Sequence, residues 1–177
     1  VSEPVLSSAT VSPSALAQAV RSRYPEVIQK SMQGNRVELI VPQARIRNVV
    51  GMISEMISDA FPESVFGIDL ENDRYELIYI FWSHLSKMLC QLRVALEGST
   101  PEVDSVSDIF PGLEWHERET HEMFGIGFKG HPDLRLLLLP DELEGKYPLR
   151  KRFKTDRSRL SESGLPEARP VSRESEA

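Results

Sequence analysis

The sequence predicts an α+β fold: a mostly antiparallel sheet with helices on one face, followed by an extended C-terminal tail. Three observations lead there. Apolar residues recur at helical spacing in two early segments, around residues 13–24 and 46–57. Four short segments alternate or run apolar between polar turns, as strands do. Beyond Gly130 the periodicity stops. Helix, strand, helix and then three closely linked strands is an order that gathers the helices on one side of a sheet.

Residues 1–12 are rich in Ser, Pro and small side chains and are expected to form a mobile arm. Ser12 then offers an N-cap with Pro13 at the first helical position, and Leu16, Ala19, Val20 and Tyr24 follow at helical spacing until Pro25. A strand is predicted over Arg36 to Val41, where Val37, Leu39 and Val41 alternate with Glu38 and Ile40. The strongest helix signal is Ile46, Val49, Val50, Ile53, Met56 and Ile57, with Phe61-Pro62 closing the segment. Three strands are predicted next, Phe66 to Glu71, Tyr75 to Trp82 and Met88 to Leu96. Their links, Asn72-Asp73-Arg74 and Ser83 to Lys87, are short enough for an antiparallel meander. The expected core is Val37, Leu39, Val49, Ile53, Ile57, Ile68, Leu77, Tyr79, Phe81, Leu92 and Val94.

After Leu96 the character changes. Gly98-Ser99-Thr100-Pro101 breaks the strand, Ser105 to Phe110 resembles a short capped helix, and Leu113 to Phe124 reads as a longer helix ended by Gly125. Beyond Gly130-His131-Pro132 only an apolar knot, Leu134 and Leu136 to Leu139, interrupts a polar segment with little capacity for a core of its own. The boundaries are therefore 1–12 for the arm, 13–130 for the domain and 131–177 for a partner-docking tail.

Composition narrows the function. A chain of 177 residues holds one ordinary domain with a real core. With 27 acidic and 21 basic side chains its net charge is −6, which argues against a general nucleic-acid binder. One cysteine, Cys90, excludes an intrachain disulfide or an iron–sulfur cluster held by this chain alone, and on an apolar strand it reads as a small core residue. No run approaches the ~20 apolar residues of a membrane span. The opening residues lack the basic head and apolar body of a secretory signal. Membrane association is expected only through a partner.

The chemistry-bearing segment is W-H-E-R-E-T-H-E, Trp115 to Glu122. It suggests zinc, but His116 and His121 are five residues apart and diverge by roughly 140° around a helix, so one helix cannot aim both at one ion. A solvated helix face fits the pattern better: Glu114 with Arg118, and Arg118 with Glu122, have the four-residue spacing of helix ion pairs. His131, before Pro132 in a turn, is expected to be a surface or backbone-bonded histidine, and His84 a turn residue. No Ser–His–Asp order, phosphate loop or paired carboxylates stand out. The run Leu149 to Arg159 carries six basic side chains against Asp156, and its +5 leaves −11 for the rest of the chain. It suits a solvated tail, docking on an acidic protein surface, or docking on phosphate headgroups.

The string E-R-E-T-H-E-M-F-G-I-G-F-K-G-H-P-D-L-R, Glu117 to Arg135, closely resembles the signature of the 30 kDa, or C, subunit of respiratory complex I. The match runs through Glu117, Arg118, Glu119, Glu122, Met123, Phe124, Gly125, Ile126, Phe128, Gly130, His131, Pro132 and Leu134. Ser105 to Gly112 resembles the family's lead-in and Leu139 to Lys151 its continuation, so the resemblance covers roughly residues 14 to 155. His121 and Glu122 depart from the pattern of quinone-reducing members. The T-H-E-M-F variant looks closer to relatives serving membrane-bound hydrogenases or F420H2 dehydrogenases.

The resemblance implies a non-catalytic, cofactor-free assembly subunit in the peripheral arm of an ion-translocating oxidoreductase, at the cytoplasmic face of the cell membrane. The whole complex would pass electrons from NADH or F420H2 to a quinone or related acceptor. Iron–sulfur clusters and a flavin or deazaflavin are expected in partner subunits. The implied partners are a hydrogenase-like large subunit of the 49 kDa, or D, type and an adjacent iron–sulfur subunit of the B type. No catalytic or metal residue is expected here. Glu117, Arg118, Glu119, His121, Glu122, Gly125, Gly130, His131, Pro132, Arg135, Arg150, Lys151 and Arg152 are expected to carry the motif or the partner interface. Alternatives are the equivalent subunit of an energy-converting hydrogenase and a free-standing regulatory module.

Overall fold

A computed structural model describes residues 10–154. Residues 1–9 of the expected arm, and Arg157 and Arg159 of the basic run, lie outside the described residues. Helix α1 (Pro13–Arg23) begins as expected, with Ser12 Oγ accepting the N–H of Ala15 at 3.1 Å. It buries Leu16, Ala17 and Val20. Helix α2 (Ile46–Met56) buries Ile46, Val49, Val50 and Ile53, the apolar stripe that its spacing requires.

Five strands form the main sheet in the order β1-β2-β5-β4-β3: β1 (Ile28–Gln33), β2 (Arg36–Ile40), β3 (Phe61–Asp69), β4 (Arg74–Ser83) and β5 (Met88–Glu97). The meander β3-β4-β5 is antiparallel, as the short links dictate. Strand β2 joins β5 in parallel, which makes the sheet mixed but mostly antiparallel. The fold is α+β with the helices on one face.

One strand was not expected from the sequence, and two local expectations need correction. Strand β1 carries no apolar alternation because it is an edge: Ile28 is 59% exposed, and a register shift lies between Gln29 and Ser31. An irregular edge of this kind resists pairing with other chains. Strand β3 starts at Phe61, five residues earlier than expected, and its inward face is Val65, Gly67 and Asp69 rather than Ile68. A register shift between Pro62 and Ser64 sets that phase, and a one-residue slip exchanges the two faces of a strand. Ser105 to Phe110 forms turns, not a helix. Just before it, Glu102–Asp104 (β6) pairs in parallel with Gly127–Lys129 (β7).

Inward-facing Val37, Leu39, Leu77, Tyr79, Phe81, Leu92 and Val94 meet α1 and α2 in one core, where burial of each large side chain stabilises by about 1.5–3 kcal/mol. Cys90 is buried among them, and burial pushes its thiol up to about 12. The opposite face of the sheet carries a polar set centred on Glu38, which is bonded by Arg93, Ser31 and Gln91. Arg93 also reaches Glu76 at 2.5 Å.

Candidate functional site

The motif residues lie on helix α3 (Glu114–Phe124) and on the segment that follows it. A 3-10 turn at Pro111–Leu113 starts the helix, which lies along β3 at the edge of the sheet. Two contacts fix it there. Thr120 Oγ1 donates to the carbonyl oxygen of Val65 at 3.3 Å. Phe124 packs so closely over Gly67 that a Cβ added there would lie 2.8 Å from its ring.

The inward side of α3 carries carboxylates, and each has taken backbone or hydroxyl partners. Glu117 is fully buried and accepts Ser105 Oγ at 2.5 Å and the N–H of Val106 at 2.8 Å. Ser105 Oγ also lies 2.8 Å from Ser107 Oγ, and Arg47 Nη1 donates to the Ser105 carbonyl at 2.8 Å. Burial raises the Glu117 carboxyl above its ordinary range, opposed by the bonds from Ser105 and Val106. Tyr79, whose buried hydroxyl has no partner among the described residues, is pushed well up by burial and then by Glu117.

Glu122 is 3% exposed and accepts three successive backbone N–H groups, from Leu137, Leu138 and Leu139, at 2.8, 3.1 and 3.3 Å. Arg118 works on the same stretch of chain from the other sign, donating to the carbonyls of Arg135 and, at 2.5 Å, Leu136. The apolar knot after Leu134 has no regular partner strand, so these two side chains satisfy its backbone instead. The Glu114–Arg118 and Arg118–Glu122 ion pairs expected from spacing do not form, and this side of the helix is not solvated. Both side chains reach other parts of the chain, where unpaired backbone groups offer stronger, charge-assisted bonds than an exposed pair.

The two histidines of α3 point apart. His121 Nδ1 lies 2.9 Å from the Ile126 carbonyl and, facing an acceptor, carries the hydrogen. His116 lines a groove against β3 with Glu119. His131 is backbone-bonded: Nε2 donates to the Glu114 carbonyl at 2.9 Å and Nδ1 accepts from the N–H of Asp133 at 3.1 Å. Gly130 takes φ +83° in the turn before it, and Pro132 is exposed. Asp133 receives both the backbone N–H and the guanidinium of Arg135, which hold its carboxyl far below the usual range. Among the described residues no group of three or more His, Cys, Asp or Glu gathers as a metal site.

Gly125 ends α3 at φ +69°, in the left-handed region. A Cβ there would lie 2.5 Å from Arg150 Nη2 and 2.6 Å from the Tyr147 ring. Arg150 is 4% exposed, donates through Nε to the Phe124 carbonyl at 2.6 Å, and stacks on Tyr147 and Tyr75 at 4.4 and 5.0 Å. Its neighbours grip the β3–β4 turn. The N–H of Lys151 donates to Asp69 at 2.8 Å, Lys151 Nζ meets Glu71 at 3.1 Å, and Arg152 meets Asp73 at 3.0 Å. That turn holds Glu71, Asn72 and Asp73 all at positive φ, a conformation that Asn and Asp tolerate in turns and that is uncommon for Glu.

Arg150 is therefore an interior residue of this chain, not part of a free docking tail, and the described segment 131–154 folds back on the domain. Asp69, Ser105, Thr120 and Tyr147 were not singled out by the sequence. No local pattern points to them: Ser105, Thr120 and Asp69 lie 12, 55 and 82 residues from Glu117, Val65 and Lys151, the residues they bond.

Residues 39–159 match the family model for the respiratory-chain NADH dehydrogenase 30 kDa subunit. The C subunit of the F420H2 dehydrogenase of Methanosarcina mazei is 30% identical over 141 residues, covering 78% of this chain and 89% of that one. The C subunit of a Roseiflexus NADH-quinone oxidoreductase is 40% identical over 93 residues, covering 51% of this chain and 53% of its own length. A chain in the solved structure of a membrane-bound sulfane sulfur reductase, an archaeal respiratory membrane complex, has the same fold. It superposes with a TM-score of 0.73 over 93% of this chain and 95% of that one, at 21% identity.

Proposed function

This chain belongs to the family of the respiratory-chain NADH dehydrogenase 30 kDa subunit, and from that premise we propose that it is a non-catalytic, cofactor-free assembly subunit of a complex-I-like oxidoreductase. Members of this family are subunits of multi-subunit, membrane-associated complexes. Among the described residues no helix is long and apolar enough to cross a membrane. In the proposed complex this chain sits in the peripheral arm at the cytoplasmic face. It packs on a hydrogenase-like large subunit of the D type and on an iron–sulfur subunit of the B type. Electron carriers, iron–sulfur clusters with a flavin or deazaflavin, belong to those neighbours. The complex oxidises NADH or F420H2 and passes the electrons to a quinone or a related acceptor.

One observation carries this reading. Glu117, Arg118 and Glu122 are spent on holding segments of the same chain, with eight bonds to backbone groups and the Ser105 hydroxyl. With Glu117, Arg118 and Glu122 consumed in this way, the motif builds a platform, and none of the three is left free to act as an acid or base. The test is to purify the full chain alone and after co-expression with its genomic neighbours. Alone it should carry no stoichiometric iron or flavin and oxidise neither NADH nor F420H2. With its neighbours it should elute in a complex with the large subunit. Bound iron or flavin, or oxidation by the chain alone, would overturn the reading.

A further inference from the structure

We propose that the outward side of α3 and the adjoining strand β3 form the groove that receives the large subunit, through a segment presenting one basic side chain among apolar ones. The inference rests on the assembly reading above and assigns its contact surface. Helix α3 divides into two unlike faces. The inward face, Glu117, Thr120 and Glu122, has found partners throughout. On the outward face, His116 and Glu119 line a groove of about 410 Å³ with Met123, Phe66 and Leu149. Neither His116 nor Glu119 has a side-chain hydrogen bond or ion pair to another described residue.

Exposure and charge together select the occupant. Phe66 is 39% exposed, Leu149 56% and Trp115, adjacent to His116 on the helix, 67%. Two large exposed apolar side chains lining the groove, with an exposed aromatic on the helix that borders it, are the composition of an interface core, where aromatic anchors carry most of the energy. Leu149 is held in place by the bond from its N–H to the Met123 carbonyl at 3.2 Å. Among the residues that line the groove, the full charge is the Glu119 carboxylate. Neighbouring cations are committed elsewhere, Arg118 to the carbonyls of Arg135 and Leu136 and Arg150 to Phe124. A basic side chain from the partner supplies the missing counter-charge while its apolar neighbours cover Phe66, Leu149 and Trp115. The β1 edge, which also exposes Ile28 and Met32, is the natural comparison because its register shift and Lys30 guard it.

The test uses the full chain co-expressed with the large and iron–sulfur subunits. A photo-crosslinking amino acid placed at Leu149 should join this chain to the large subunit, and one placed at Met32 should not. Glu119→Arg should weaken association about tenfold or more, with Glu119→Gln intermediate and Trp115→Ala comparably damaging. These positions are exposed or at the groove rim, so unchanged circular dichroism should accompany the loss. The groove is wrong if the wild-type complex forms but crosslinks arise only from position 32, or join this chain to itself, and Glu119→Arg assembles normally. If the wild-type chain captures no large subunit at all, the assembly reading fails and this inference falls with it.

Discussion

Arg150 donates through Nε to the carbonyl oxygen of Phe124, 2.6 Å away, and so closes the C-terminal end of α3 from a position 26 residues further along the chain. The last carbonyls of a helix have no partner within it, and a cation there also meets the negative end of the helix dipole. The guanidinium also lies over two tyrosine rings, Tyr147 at 4.4 Å and Tyr75 at 5.0 Å. Arg150→Ala removes the bond and the stacking from a buried site, and should destabilise the chain by about 2–4 kcal/mol. Arg150→Lys should recover less than half of that, since a lysine ammonium cannot stack as a plane. Denaturant unfolding measures both, and a loss under about 1 kcal/mol for the alanine variant would refute the capping role.

Gly125 and Gly130 offer a matched pair. Both take positive φ, but an added Cβ at Gly130 meets open space, whereas at Gly125 it strikes Arg150 and Tyr147. Gly130→Ala should cost about 1–2 kcal/mol, the left-handed penalty alone. Gly125→Ala should cost distinctly more, and part of the excess should disappear in an Arg150→Ala background, because one of the two clash partners is gone while Tyr147 remains. Equal costs at the two positions would contradict the packing described.

Glu122 predicts a local effect. Glu122→Ala leaves the N–H groups of Leu137, Leu138 and Leu139 without their acceptor, and should cost about 2–4 kcal/mol. Glu122→Gln keeps one carbonyl acceptor and should be milder. Amide hydrogen exchange at residues 137–139 should accelerate in the alanine variant while β4 and β5 stay protected.

The pH dependence separates two carboxylates. Burial raises Glu117 in the folded state, so the native chain binds its proton more readily than the unfolded chain. Its contribution is fully present below the ordinary glutamate range and is lost as pH rises through the raised folded value. Asp133 runs the other way. Arg135 lowers it, so its contribution is present above the ordinary aspartate range and is lost as pH falls from that range through the lowered folded value. Glu117→Gln should therefore flatten the decline of stability on the alkaline side of about pH 4.5, while Asp133→Asn should flatten the decline on the acid side. Unfolding curves from about pH 2 to 8 follow Glu117 in full and the onset of the Asp133 loss, and a Glu117→Gln profile parallel to the wild type would contradict the burial argument.

Cys90 should be silent in the native chain. Buried and pushed up to about 12, its thiol stays protonated and unreachable at neutral pH. Thiol reagents should label it only in denaturant, and labelling at the rate of a free thiol in buffer would show that the core opens.

Elements whose information is local could be read directly from the order of residues. Ser12-Pro13 starts α1, the Ile46 to Ile53 stripe makes α2, short polar links force β3-β4-β5 antiparallel, and Gly125 ends α3. The motif from Glu117 to Arg135 likewise pointed to the family. What those motif charges do depends on contacts that form only when the chain folds. Spacing along a helix assigns Arg118 to Glu114 or Glu122 because it sees only neighbours three or four residues away. In the folded chain the 135–139 backbone arrives with unpaired N–H and C=O groups, and a buried backbone group is costlier to leave unmade than an exposed ion pair. Edge strand β1, the inverted phase of β3 and the inward turn of Arg150 were hidden for the same reason: each depends on a partner remote in sequence, whose position no local pattern encodes.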